Sequence, residues 1–348
     1  DGRNDIRSET ESRKMNNRRK KFGLAAIALA PIIALSGCAA APTDSAESIT
    51  IYSGRSETLI SELLDTFTQE TGIAVNVRYG DSAELAAQIL EEGSNVQADV
   101  FFSQDAGALG ALAKEGLTKS LPNDITDLVD ASYKSKDSQW VGVSGRARVL
   151  VVDPAMVTEL PTSYKDLMDP SWKGRIAIAP TNASFQAFIT AIRVTEGDQQ
   201  AEEFLAAMKE NAVLFEKNGL ILQAVEDGVV DAGLINHYYW FELENEKGVG
   251  NMNSELVWFE DQDAGNLINV AGVAVLSGNA SANVFVKWLL GDTAQNYFVE
   301  RTREYSLTGV PDVSGVKPFG EIKAPNIDLS DLDSLAETLE LIRKAGLL

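Results

Sequence analysis

The chain has 348 residues, which is enough for two lobes with substantial cores, and its hydrophobic (45%) and charged (23%) fractions are ordinary for a globular protein. The formal net charge of -21 argues against nucleic acid as a partner, because phosphate binding depends on clustered Lys and Arg. A single Cys and a single His exclude a Cys/His zinc site and a disulfide within the chain. Any metal site must therefore be built mainly from oxygen ligands, which suit hard cations.

The N-terminal region predicts export from the cytoplasm. Residues 15–37 contain a basic stretch, then an apolar run that is too short to span a bilayer comfortably, and then Leu-Ser-Gly directly before Cys38. This order resembles a bacterial lipoprotein signal, which implies a signal peptide at 15–37, lipidation of Cys38 and a flexible tether at 38–48. The alternative is an uncleaved membrane anchor. Both interpretations place the rest of the chain outside the cytoplasmic membrane, either lipid-anchored or in a periplasm.

Strands and helices alternate from residue 49 onward. In the first block, apolar periodicity predicts strands at 49–53, 73–79 and 98–103, and helices at 57–70, 81–93 and 105–115. This order implies parallel strands joined by right-handed crossovers.

A second α/β block follows, and the chain then returns to strand character. The predicted strands are 149–153, 175–180, 231–235 and 267–276, and the predicted helices are 184–196, 201–211, 220–227, 282–290 and 334–345. Two such blocks suggest two lobes joined by crossing segments, with lobe 1 at 49–145 plus 268–312 and lobe 2 at 146–267 plus 313–348. A cleft between the lobes would bind a ligand beyond the carboxyl ends of the strands.

The segment LINHYYWFE at 234–242 is the main candidate for a binding site. Its pattern predicts a strand that ends at Ile235, Asn236 as the helix N-cap, and a helix from His237 towards Lys247. The adjacent residues Tyr238 and Tyr239 then lie in the first helical turn, where both side chains can reach one ligand. We expect His237 to be a helix-start residue rather than a ligand.

Two neighbouring phenols can bind a trivalent cation. A phenol ionises near pH 10, but the charge of such a cation can displace the proton at neutral pH. Two hard, anionic phenolates suit ferric iron, and the nearby helix N-terminus favours a co-bound anion such as carbonate or phosphate. Tyrosine pairs also occur in cores and in ligand clefts without metal, and the residues alone leave this alternative open.

Other predicted strand ends offer polar groups to the same cleft. Arg55 follows the first strand and could hold an anion with two hydrogen bonds, although this segment could also be a plain turn capped by Ser53 or Ser56. Asp105 follows the third strand and could be only a helix cap. The loop at 180–184 precedes a helix, so its hydroxyl and N–H groups form a candidate anion pocket. With no supported catalytic triad, we expect a binding protein rather than an enzyme.

Six segments resemble the ferric-iron-binding solute receptors of ABC importers, which belong to the bacterial extracellular solute-binding proteins of family 1. They are YSGR at 52–55, ADVFFS at 98–103, WVGVSGRAR at 140–148, PSWKGRI at 170–176, LQAVEDG at 222–228 and LINHYYW at 234–240. The resemblance implies an α/β, two-lobed periplasmic-binding-protein (Venus flytrap) fold with strands crossing between the lobes. It also implies a monomer that closes on ferric iron and a synergistic anion and then docks on an ABC permease.

The resemblance further implies roles for particular residues. Tyr238 and Tyr239 correspond to ferric ligands, and an anion pocket is implied at Asn182, Ala183, Ser184, Asn218 and Asn236.

Three positions depart from the family pattern. Ser56 stands where some members have a histidine ligand, Gln104 where they have a carboxylate ligand, and Val152 where some have a third tyrosine. We therefore expect the remaining coordination to come from Tyr52, from a carbonate held by Arg55, or from Asp105 next to Gln104. The alternative is the same fold with an organic or phosphorylated anion as ligand, held by Arg55 and the 181–184 loop.

Overall fold

The computed structural model describes residues 47–348. The predicted signal peptide at 15–37, the predicted lipidation site Cys38 and nearly all of the predicted tether lie outside the described residues. Within 47–348, no helix is both long enough and apolar enough to cross a membrane.

The described residues alternate between strands and helices. The strands are β1 (Ser48–Ser53), β2 (Ala74–Tyr79), β3 (Val100–Ser103), β4 (Val141–Val152), β5 (Ile176–Ile178), β6 (Ala212–Leu214), β7 (Ala232–Asn236), β8 (Glu255–Val257), β9 (Ile268–Val275) and β10 (Tyr305–Ser306). The helices are α1 (Glu57–Thr71), α2 (Ser82–Glu92), α3 (Ala106–Lys114), α4 (Asn123–Thr126), α5 (Ala183–Glu196), α6 (Asp198–Asn211), α7 (Asn218–Glu226), α8 (His237–Lys247), α9 (Ala280–Leu289), α10 (Asp292–Glu300) and α11 (Leu335–Lys344).

The strands form two sheets that share β4. In the first sheet, β2, β1 and β3 are parallel neighbours, and β9 lies antiparallel between β3 and β4. In the second sheet, β7 pairs antiparallel with β4 and is followed by β5 and β6, which run parallel to it. The short strands β8 and β10 also pair with β4, in the second and first sheet respectively. The parallel strands predicted for the first block are therefore present.

Local sequence explains where the first helices begin and end. Helix α1 buries Ile60, Leu63, Leu64 and Phe67 on one face and ends at Gly72, whose φ of 76° is a left-handed conformation that favours glycine. Helix α2 begins after Asp81, whose side chain accepts a hydrogen bond from the N–H of Ala83 at 2.8 Å. Asp81 is therefore the N-cap of α2.

Strand β4 is much longer than its sequence pattern predicts. The prediction covered only 149–153, whereas the strand begins at Val141 and all of its residues are buried. Its first part contains Gly142, Gly145 and Arg146, which strand propensity disfavours or does not favour. Pairing with β9 and β10 on the two sides of this part overrides that local preference.

The last part of the chain contacts helices that are connected to strands of both sheets. A short turn at Leu329–Asp333 packs on α3, where an added Cβ at Gly110 would lie 2.7 Å from the carbonyl oxygen of Ser330. Helix α11 then packs on α5 and α6. The predicted lobe boundaries at 145/146, 267/268 and 312/313 remain a prediction.

Candidate binding cleft

A cleft of about 920 Å³ opens at the carboxyl ends of strands from both sheets. One side is formed by the residues that follow β1 and β3 and by the first turns of α2 and α3. The other side is formed by the residues that follow β5 and β7 and by the first turns of α5 and α8. The predicted site residues that line it are Ser56, Gln104, Asp105, Asn182, Ala183, Ser184, Asn236, Tyr238 and Tyr239. The structure thus brings nine of the predicted residues to one place.

The tyrosine pair lies where β7 passes into α8. Strand β7 ends at Asn236, and α8 begins at His237, as the sequence predicts. The rings of Tyr238 and Tyr239 stack with their centroids 4.5 Å apart and an angle of 29° between their planes. Asn236 occupies the N-cap position, but its side chain makes no capping hydrogen bond. Two phenol oxygens and one amide are therefore available on the same side of the cleft.

The Tyr238 phenol is neutral without a cation. Burial raises the pKa of Tyr238 above its ordinary value, the neighbouring Tyr239 raises it further, and Arg146 acts in the opposite direction. Only a strong positive charge placed against the phenol oxygen would favour the phenolate at neutral pH.

A network of hydrogen bonds holds the start of α5 at the cleft. The side-chain oxygen of Asn182 accepts a hydrogen bond from the N–H of Ser184 at 3.0 Å and one from its hydroxyl at 2.6 Å. The hydroxyl oxygen of Ser184 accepts from Arg148 Nη1 at 2.9 Å and from Asn218 Nδ2 at 3.0 Å. Asn218 is fully buried and does not line the cleft, so its place is behind Ser184. Burial lowers the pKa of Arg148 to about 9, which still leaves it charged at neutral pH.

The opposite side carries fewer candidate ligands than the sequence suggested. Asp105 caps α3, because its Oδ1 accepts a hydrogen bond from the N–H of Ala108 at 3.1 Å, and burial raises its pKa. Ser56 is exposed at the N-cap position of α1, and its hydroxyl lies 3.2 Å from that of Thr58. The buried Oε1 of Gln104 has no hydrogen-bond partner among the described residues.

Besides Asn218, two predicted site residues do not line the cleft, Tyr52 and Arg55. The hydroxyl of Tyr52 donates towards Glu92, with distances of 3.2 and 3.4 Å to the two carboxylate oxygens. Arg55 is only 1% exposed and forms a double hydrogen bond with Glu304, at 3.1 Å from Nη1 and 2.6 Å from Nη2. The expectation that Arg55 holds an anion is corrected, because a buried carboxylate already takes its guanidinium. Val152 is fully buried within β4.

Arg146 and Asn269 also line the cleft, although neither was predicted from the sequence as a site residue. Arg146 belongs to β4, is 4% exposed, and its Nη1 has no hydrogen-bond partner within 47–348. Asn269 belongs to β9, where its Oδ1 accepts from the N–H of Ala106 at 3.3 Å while its Nδ2 has no partner among those residues. The tripeptide Ser-Gly-Arg occurs at 53–55 and at 144–146, and the second copy, not the first, brings its arginine to the cleft.

His237 lies behind the tyrosines and is fully buried rather than facing the cleft. In the part of the chain that the structure describes, no three His, Cys, Asp or Glu side chains gather as a group that could hold a metal ion. The stacked phenols are thus candidate oxygen ligands that stand side by side in the cleft.

This architecture defines a class of protein. Two α/β sheets share a long strand, and a polar cleft opens at the carboxyl ends of their strands, as in two-lobed periplasmic solute-binding proteins of the ferric-binding type. The fold class predicted from the sequence is confirmed.

Comparison with known proteins identifies the family. A family model described as "Bacterial extracellular solute-binding protein" matches residues 95–320. The Fe(3+)-binding periplasmic protein of Serratia marcescens is 33% identical over 342 residues, which cover 96% of this chain and 100% of that protein. This chain belongs to the bacterial extracellular solute-binding protein family. Because the family binds solutes, its membership supports the expectation of a binding protein rather than an enzyme.

Two solved structures are similar over most of their length. Iron-bound HitA from Pseudomonas aeruginosa is 34% identical, has a TM-score of 0.81, and the match covers 86% of this chain and 99% of that one. FutA (IdiA) from Trichodesmium, in complex with iron and citrate, is 28% identical, has a TM-score of 0.75, and the match covers 86% and 99% of the two chains.

Proposed function

We propose that this protein is the extracytoplasmic substrate-binding component of an ABC importer and that it captures ferric iron together with a synergistic anion. The observation that carries the proposal is the stacked pair Tyr238 and Tyr239, placed side by side in a polar cleft. The iron named for the Serratia and Pseudomonas relatives supports the same ligand. The lipid anchor at Cys38 and delivery to a permease belong to the proposal.

Iron binding would use the phenols as anionic ligands. A ferric ion held against the two phenol oxygens stabilises the phenolate form. Each phenol therefore loses its proton to solvent when the ion binds. Asn236 and Glu242 line the same part of the cleft and complete a polar surrounding. Tyr52 is left out of the proposed ligand set, because its hydroxyl is turned towards Glu92.

The synergistic anion, carbonate or phosphate, would bind Arg146 rather than Arg55. The Nη1 of Arg146 and the Nδ2 of Asn269 are buried donors without partners among residues 47–348, and both side chains line the cleft. Leaving such donors unpaired is costly, and an anion would satisfy them. The N-terminus of α5 at Ala183 offers a second attraction for negative charge, whereas the N–H groups of Asn182 and Ser184 already donate to the Ala179 carbonyl and to the Asn182 side chain.

Metal analysis of the purified protein and its visible spectrum test the iron proposal. We expect bound iron and a phenolate-to-iron charge-transfer band, which Tyr238→Phe or Tyr239→Phe removes. Tyr164→Phe is a matched control, because Tyr164 is buried away from the cleft and its hydroxyl donates to Glu196 at 2.9 Å. A colourless protein that takes up no ferric iron with carbonate or phosphate present contradicts the proposal.

Iron retention and thermal melting test the anion site and the alternative ligand. We expect Arg146→Gln to lose the dependence of iron retention on bicarbonate or phosphate, with a wild-type-like fold. If thermal melting shows stabilisation by a phosphonate or a phosphorylated compound but none by ferric iron, the cleft binds an organic anion instead.

A further inference from the structure

We infer that His237 is a positioning residue for Tyr238 and fixes the first turn of α8 to two other parts of the chain. The inference rests on the proposed function, because its consequence is the affinity for iron. His237 is the only histidine of the 348 residues, is fully buried and lies outside the lining of the cleft. It therefore cannot act as a ligand where it stands, yet it is adjacent to Tyr238 in the chain.

The hydrogen bonds of the imidazole define its protonation. The Nδ1 atom accepts a hydrogen bond from the backbone N–H of Ala147 at 3.1 Å. The Nε2 atom lies 2.8 Å from the carbonyl oxygen of Arg303. A backbone N–H can only donate and a carbonyl can only accept, so the ring must be neutral with its hydrogen on Nε2. Each ring nitrogen thus has one obligatory partner.

The two partners belong to different strands or segments. Ala147 is part of β4, and its neighbours Arg146 and Arg148 reach the cleft lining and Ser184 respectively. Arg303 precedes β10 and has a φ of 56°, an uncommon left-handed conformation for a residue other than glycine. His237 therefore connects the start of α8 to the strand that both sheets share and to the segment before β10.

The buried ion pair of Arg55 holds this second partner in place. Glu304 follows Arg303 directly and receives both hydrogen bonds from Arg55. The hydroxyl of Thr302 also donates to Glu304, at 2.8 Å. The carbonyl of Arg303 thus lies between two residues whose side chains are fixed, which makes it a rigid acceptor for the imidazole.

Ring packing transmits the position of His237 to Tyr238. The imidazole stacks on Tyr305, with centroids 4.6 Å apart and an angle of 16° between the planes. The ring of Tyr238 meets the imidazole edge to face, at 5.9 Å and 82°. Rotation of the imidazole would move the surface against which Tyr238 packs. Outer-shell partners that orient metal ligands by hydrogen bonds typically contribute about 10–100-fold to metal affinity, and we expect this ring contact to contribute at the lower end of that range.

Three substitutions of His237 distinguish the contribution of the two hydrogen bonds to iron affinity from the contribution of the ring shape. His237→Asn retains an acceptor near the position of Nδ1, His237→Gln retains a donor near Nε2, and His237→Phe retains a ring but neither bond. We expect His237→Phe to weaken ferric iron binding about 10-fold or more and to shift the charge-transfer band. The Asn and Gln variants should each recover part of the affinity and of the band position.

The control and the contradicting outcomes are well defined. Tyr164→Phe also removes a hydrogen bond of a buried ring, but Tyr164 is not part of the cleft lining. The iron affinity and the charge-transfer band of this variant should therefore equal those of the wild type. Equal losses of affinity in Tyr164→Phe and His237→Phe would overturn the inference. So would wild-type affinity and an unchanged band in His237→Phe. Wild-type protein that binds no iron would instead refute the proposed function.

Nuclear magnetic resonance of the iron-free protein tests the geometry even if His237→Phe fails to fold. Because the chain has one histidine, 15N-histidine labelling gives the two nitrogen signals of a single imidazole. We expect a protonated Nε2 and an unprotonated Nδ1 near neutral pH. The opposite tautomer, or an average over both, would show that the ring is not held by Ala147 and Arg303 and would overturn the inference.

Discussion

At the scale of single residues, two arginines in the same tripeptide have different surroundings. Arg55 is enclosed by Glu304, Ser144 and two aromatic rings, whereas Arg146 lines the cleft with one nitrogen unpaired within 47–348. The sequence could show that both follow Ser-Gly, but it could not show which one meets a carboxylate, because Glu304 is distant along the chain. The tyrosine pair was predictable, because the strand end, the N-cap position and the helix start are all local features.

The ion pair between Arg55 and Glu304 predicts a pH dependence of stability. Burial alone would raise the pKa of Glu304, but Arg55, with smaller contributions from Arg146 and Thr302, holds it below the ordinary value of 4.5. A carboxyl with a lowered pKa in the folded state stabilises the fold above the pKa of the unfolded state. This stabilisation should therefore be complete above about pH 4.5 and be lost as the pH falls through the lower folded-state value.

Urea unfolding of the wild type and Glu304→Gln between pH 3 and 7 measures this contribution. At neutral pH the variant should be less stable by about 3–5 kcal/mol, because Arg55 remains buried without its charged partner. Below about pH 4.5 the difference between the two proteins should narrow. A difference that stays constant over the whole range would contradict the assignment of Glu304 as a buried carboxylate.

At the scale of secondary-structure elements, periodicity predicted the long helices and the buried strands. The predicted ends differ from the observed ends by a few residues. The first part of β4, the short strands β6, β8 and β10, and the helices α4 and α10 were not predicted. The short strands have only two or three residues, too few for an apolar pattern. They exist through pairing with a neighbour, which is the long strand β4 for β8 and β10 and the short strand β5 for β6. Non-local pairing of this kind is the part of the fold that local sequence does not contain.

The contact between α3 and the turn at Leu329–Asp333 gives a prediction for Gly110. An added Cβ would lie 2.7 Å from the carbonyl oxygen of Ser330, which is closer than carbon and oxygen can pack. Gly110→Ala should therefore destabilise the protein by about 1–3 kcal/mol or displace the C-terminal turn. Thermal melting and limited proteolysis of the C-terminal region measure the two effects.

Gly320→Ala is the matched control, since an added Cβ at Gly320 meets no atom within 4 Å. It should melt and resist protease like the wild type. If Gly110→Ala also behaves like the wild type in both measurements, this result contradicts the close packing of the C-terminal turn on α3.

At the scale of the whole molecule, the cleft takes residues from both sheets, so a ligand that contacts both sides would favour a closed form. Tyr238 and Tyr239 stand on one side, and Gln104 and Asp105 stand on the other. Strands β4 and β9 run along the boundary of the two sheets, and bending there is our proposed route to closure.

Small-angle scattering measures closure directly. We expect ferric iron with bicarbonate to reduce the radius of gyration of the wild type and of Tyr164→Phe. The double variant Tyr238→Phe/Tyr239→Phe should show no reduction, because it lacks the iron ligands. Full iron loading of the wild type without any change in the radius would exclude closure as part of binding.

The shared strand β4 also has a consequence for how the chain folds. Strand β9 lies between β3 and β4, so the first sheet is incomplete until residues 268–275 have been added to the chain. Before that point, β3 and β4 would each present an unpaired edge, and such edges invite aggregation. Pairing between segments so far apart in sequence is also slow to form. The chain therefore gains little by folding during synthesis, a property that suits a protein we propose to act outside the cytoplasmic membrane.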